Sequence, residues 1–190
     1  MVAATMPTRV KKEGRPAGAT PSATRRPATG ALVADVREQL GEAWPPRIYR
    51  ERILPMRTRS HTVFPASKGA SVDVQHTLLG VELKVGRQRL SCPDLSTARY
   101  LSVFARAGCS NVAVPYDITK ISRLADELES AWQRAMLMID HLTEGRGLSF
   151  RSRVRAELVR EMKAEFEQAG AGTAVPQFNQ NTRQRERRVS

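Results

Sequence analysis

Between Ile118 and Leu142 the apolar residues Ile121, Leu124, Leu128, Ala131, Ala135, Met138 and Leu142 recur at alternating steps of three and four. Only a helix presents such positions as one face, so the spacing predicts a long helix with a coiled-coil-like heptad seam. Asp117 stands where an N-cap belongs, and Gly145 stands just past the end. Ala125, Trp132, Met136, Leu137 and Ile139 widen the stripe, enough to cover both a sheet and a second helix. After the break Gly145-Arg146-Gly147, Val154, Leu158, Met162 and Phe166 are spaced by four. That predicts a helix from Ser149 to Gln168, folded back antiparallel on the first as a helical hairpin.

Upstream the period changes to two. Val81, Leu83 and Val85 alternate with Glu82 and Lys84, and Gly86-Arg87 follows as a pair suited to a type II′ turn. A two-residue loop sets Leu83 opposite Leu90 and Val81 opposite Cys92, giving one apolar face. Glu82 then meets Ser91, and Lys84 meets Arg89, a like-charge pair that wants an acid or an anion nearby. Val72 and Val74 suggest a further strand. Pro93 and Asp94 end the hairpin and start a helix with Ala98, Leu101, Phe104 and Ala105 inside and Arg99, Ser102 and Arg106 outside. Gly108 ends that helix, and Val112 and Val114 form a short strand, parallel to the hairpin if the unit is a right-handed crossover.

The N-terminal part lacks such patterning. Residues 1–46 read as a disordered basic arm with a short helix at 31–40, marked by Leu32, Val36 and Leu40. Trp44-Pro45-Pro46 reads as an extended linker. Residues 47–70 read as an irregular basic segment, because Pro55 and Pro65 exclude a long helix. Residues 71–169 form the folded domain, and 170–190 a disordered basic tail. The predicted class is α+β: a small sheet of three or four strands, one packing helix and a C-terminal antiparallel helical hairpin, flanked by disordered basic tails.

Charge changes the picture. The chain has 31 Lys and Arg against 19 Asp and Glu, a net charge of +12. Residues 1–50 carry a net of +5 and residues 172–190 a net of +3, so most of the excess lies outside the periodic region. Such charge is available to an anionic partner. Arg146, Arg151, Arg153 and Arg155 gather at the start of the last helix, where the dipole is already positive and acids are preferred. An anion there would meet backbone N–H groups and several guanidinium groups together. Lys84, Arg87, Arg89, Arg99 and Arg106 form a second basic set on the outer face of the hairpin and helix. With Tyr100 the only aromatic near it, base stacking is disfavoured against phosphate contact.

Other chemistry finds little purchase. His76, Cys92, Cys109 and His141 match no paired zinc spacing, and no nucleophile elbow or phosphate loop occurs. No cofactor or metal is expected, and no enzymatic activity. Two cysteines in apolar surroundings fit buried thiols in a reducing, cytoplasmic compartment, nucleoid association included. Residues 1–34, with Glu13 their one acid, also have the look of an organelle transit peptide, but the disordered arm is preferred. No apolar run reaches membrane-spanning length. The expected function is non-enzymatic nucleic-acid binding through phosphates with low sequence specificity. The alternative is an assembly or adaptor protein, in which residues 118–142 pair with a partner chain or a second copy through Ile121, Leu124, Leu128, Met138 and Leu142.

Overall fold

The computed structural model describes residues 28–67 and 69–172. Of the arms expected at 1–46 and 170–190, residues 1–27 and 173–190 lie outside the described residues, while Ala171 is buried. The architecture is α+β, with two small antiparallel sheets among the helices. Helix α1 spans Thr29–Leu40, and the short helix α2 spans Pro45–Ile48. Strands β1 (Thr58–Thr62), β2 (Val72–Thr77), β3 (Gly80–Val85) and β4 (Gln88–Cys92) follow. Then come α3 (Leu95–Ala107), β5 (Asn111–Pro115), α4 (Ile118–Leu142) and α5 (Leu148–Gln168).

The β3–β4 hairpin has the register its sequence predicts: Leu83 pairs with Leu90, Val81 with Cys92, and Lys84 with Arg89. Gly86 takes the positive φ of 58° that a type II′ turn needs at its first position. The like-charge pair is relieved from both sides. Asp73 of β2 stands opposite Lys84, and Glu82 lies 3.3 Å from Arg89. Helix α3 starts where Asp94 accepts the Thr97 N–H at 2.7 Å, and it ends at the left-handed Gly108. It runs between the three-stranded sheet β2–β3–β4 and α4, so it is buried almost all round. Ser102 is therefore buried, not outside, and its hydroxyl donates to the Arg99 carbonyl at 2.7 Å.

Three expectations are corrected. First, β5 does not extend the hairpin sheet by a parallel crossover. It pairs antiparallel with β1, which lies in the segment read as irregular. The sequence Thr-Arg-Ser-His-Thr offers no apolar alternation because β1 is an edge strand with no fully buried residue. Second, Pro45 and Pro46 do not make an extended linker; they open α2. Proline fits a helix's first turn, whose N–H groups lack intrahelical acceptors in any case. Third, the packed unit begins at α1 rather than near Ser71. Leu32, Val33, Val36 and Leu40 are buried against α4 and α5.

The centre of the molecule is aromatic. Tyr49 packs edge-on against Phe104 and Phe166, with ring centroids 5.3 and 5.6 Å away, and Tyr100 and Phe166 both lie 5.0 Å from Phe104. Tyr49 sits in a π-helical turn after α2, where the Leu54 N–H bonds the Tyr49 carbonyl at 3.0 Å. Its hydroxyl accepts the Ala113 N–H at 3.0 Å, while the Tyr100 hydroxyl donates to the Ala113 carbonyl at 2.7 Å. Two side chains thus satisfy the inner edge of β5, where a third strand would otherwise be needed. Burial pushes both phenol groups up in pKa, so they stay neutral and hydrogen-bond as hydroxyls.

Candidate anion-binding surface

Helix α4 ends at Thr143, whose buried hydroxyl donates to the Ile139 carbonyl at 2.6 Å. Gly145 turns the chain at φ 72°, and Gly147 caps α5 in extended conformation without a side chain to cover the helix's first N–H groups. No acid occupies that first turn. Phe150 carries two guanidinium groups on its ring: Arg146 at 4.7 Å and Arg153 at 5.8 Å from the centroid. The four arginines of the cluster therefore split into two kinds. Arg155 grips Asp140 on α4 through contacts of 2.5 to 3.1 Å, and Arg151 approaches the same carboxylate at 3.8 Å. These two fasten the hairpin near its turn. Arg146 and Arg153 have no acidic partner among the described residues. Arg146 Nη1 and Arg151 Nε are both enclosed and lack an acceptor among the described residues.

The second basic set does not assemble into one face. Arg99 is half-buried and held by Glu129 at 2.6 Å and Asp126 at 2.8 Å, both on α4. The hydrogen bonds it donates to Glu129, with a smaller share from Asp126, raise its pKa further. It is a structural clamp between α3 and α4. Arg89 is paired with Glu82, and Lys84 faces Asp73. Arg87 projects from the β3–β4 turn beside a hollow lined also by Ser67 and Ala70. Those two residues also line a larger hollow, and Arg106 and Arg155 stand on that one.

Compared with known proteins, the chain matches no family model, no curated protein and no solved structure.

The heptad seam expected to meet a partner helix is largely filled from within the chain. Ile121, Leu124 and Leu128 are buried against α1 and α3, and Met138 and Leu142 are half-buried against the core. The large apolar residues left exposed on α4 are Ile118 and Leu137, near opposite ends of the helix. His76, Cys92, Cys109 and His141 fall on separate elements, and the two cysteines are buried free thiols. Among the described residues no helix is long and apolar enough to cross a membrane.

Sequence reasoning missed two things here. It could not separate arginines that pair from arginines that do not, because the deciding acids lie far away in the chain: Asp126 and Glu129 for Arg99, Asp140 for Arg155. It also missed the larger hollow, whose lining comes from well-separated segments and leaves no local signature.

Proposed function

We propose that the protein binds nucleic acid through phosphate contacts with little base preference, and that the α4–α5 turn is part of the contact surface. The observation that carries this reading is the pair of guanidinium groups on Phe150, Arg146 and Arg153, with no acidic partner among the described residues, at the uncapped start of a 21-residue helix. Repulsion from the helix dipole makes the arrangement mildly unfavourable unless an anion joins it. A phosphate would gain charge-assisted hydrogen bonds from the guanidinium groups and backbone N–H groups together. The rest of the charge supports a polyanion over a single small ion. Of the net +12, +5 lies in residues 1–27 and +3 in residues 173–190. These arms supply long-range attraction, and the turn supplies a fixed point of contact. Guanidinium and backbone N–H groups at a helix start meet phosphates, which fix position on a nucleic acid without reading its bases.

The test is fluorescence anisotropy on labelled duplex and single-stranded oligonucleotides across a salt series, with the full chain and an Arg146→Glu/Arg153→Glu variant. The variant should bind more weakly, and its log–log salt slope should become shallower by about 1–2, because fewer counterions are released. An unchanged slope refutes the turn as contact surface. No binding by the parent chain at low salt refutes the function.

A further inference from the structure

The larger hollow, of about 620 Å³, opens between α3, β2, α4 and α5. Its floor is apolar: Val72, Met136 and Val159 are half-buried there, beside Trp132. At this place the core reaches the surface without a polar cover. The charged residues among its described lining are two arginines, with no acid. Arg155 is already neutralised by Asp140. Arg106 is not: among the described residues its one hydrogen-bond partner is the Val72 carbonyl, at a long 3.4 Å, and no carboxylate of the described residues lies within ion-pair reach. A guanidinium group has five N–H donors in a fixed fork, so most of the donors of Arg106 are left for something else.

We propose that this hollow binds a small amphipathic monocarboxylate, with its aliphatic body on Trp132, Met136, Val72 and Val159 and its carboxylate on Arg106. The volume lies within the range of small-molecule sites, and the composition has their usual form, an apolar floor with a few polar groups at its rim, of which Arg106 is the cation without a carboxylate among the described residues. A carboxylate fits the guanidinium fork bidentately, which fixes the ligand's direction as well as its charge. An apolar ligand without charge would leave Arg106 as it is and gain only the floor. An anion without an apolar body would meet Arg106 but leave the floor wet. The site is separate from the α4–α5 turn, and its test makes no use of nucleic acid, so the two readings succeed or fail independently.

Isothermal titration calorimetry on the full chain tests it with octanoate, octan-1-ol and acetate as probes. Octanoate should bind saturably, one to one, and octan-1-ol and acetate each at least about tenfold more weakly. Arg106→Gln should weaken octanoate by about tenfold or more while leaving octan-1-ol unchanged. Ala156→Trp places a large ring in the hollow from an exposed position on α5, and should abolish octanoate binding without lowering the melting temperature. The proposal is overturned if octanoate shows no saturable binding up to millimolar concentration. Equal binding of octan-1-ol, or undiminished octanoate binding by Ala156→Trp, overturns it as well.

Discussion

The two tyrosines that satisfy Ala113 make an asymmetric prediction. Tyr49→Phe removes the hydroxyl that accepts the Ala113 N–H, and Tyr100→Phe removes the one that donates to the Ala113 carbonyl. Ala113 is fully buried, so neither group finds water in the folded state. Each ring stays, and with it the ring contacts to Phe104 and Phe166. The loss is therefore close to a pure hydrogen-bond deletion, about 1–3 kcal/mol for a buried group left unpaired. An orphaned N–H is less tolerated than an under-satisfied carbonyl. Tyr49→Phe should thus fall at the upper part of that range, about 2–3 kcal/mol, and Tyr100→Phe nearer 1 kcal/mol. In urea, with a slope of about 1–3 kcal/mol per molar, the first shifts the midpoint down by roughly 1 M and the second by about half that. Slopes should match the parent, since the surface exposed on unfolding is unchanged. Amide exchange at Ala113 should quicken in Tyr49→Phe beyond the global change. A neutral or stabilising Tyr49→Phe, or the reverse order of the two variants, would refute the edge-capping argument.

Other expectations follow from the same contacts. Leu32→Ala should cost about 2–5 kcal/mol in a thermal or urea melt, because α1 belongs to the core; a silent result would show α1 to be dispensable. Arg99→Ala should cost about 1–2 kcal/mol by stripping Glu129 of its cation, while Arg155→Ala at the more exposed Asp140 pair should cost less than about 1 kcal/mol. Equal costs would contradict the distinction between clamp and surface pair. Burial pushes the Cys109 thiol up to about 12 from an ordinary 9.0. The folded state keeps a proton that the unfolded chain releases above about pH 9, so stability is full below that pH and falls as pH rises toward 12. Cys109→Ala should make that decline shallower by up to about 1.4 kcal/mol per pH unit, measured as urea stability against pH.

What the sequence revealed follows from which interactions are local. The β3–β4 register was legible because Gly86 and the alternation from Val81 to Cys92 constrain each other within a dozen residues. Helices α4 and α5 were legible because their apolar positions keep one period over many turns. Strand β1 was not, because nothing in Thr58–Thr62 marks it as a strand until β5 lies beside it. The Leu32, Val36 and Leu40 spacing identified α1 as a helix, but its burial depends on surfaces of α4 and α5 that lie far along the chain. The candidate site behaved alike. Arginine content and position were visible, and Arg146 and Arg153 remain without acids among the described residues. Arg99 and Arg155 changed meaning once Glu129 and Asp140 were placed beside them.

The docking of α1 on α5 has a consequence for synthesis. Arg37 meets Glu161 across 124 positions of sequence, and the Trp44 indole N–H meets Glu165 across 121. Helix α1, made early in synthesis, is thus held by α5, made more than a hundred residues later. At a translation rate of about 5–20 residues per second, α1 waits roughly ten seconds for its partner. During that interval Leu32, Val33, Val36 and Leu40 have no α5 to cover them. The nascent chain therefore presents the apolar face of α1 just behind the strongly basic residues 1–27. That combination attracts chaperones and anionic surfaces alike. The aromatic centre closes only when Phe166 emerges, so a ribosome stalled before that point would leave the α5-facing side of α1 uncovered beside the basic residues 1–27.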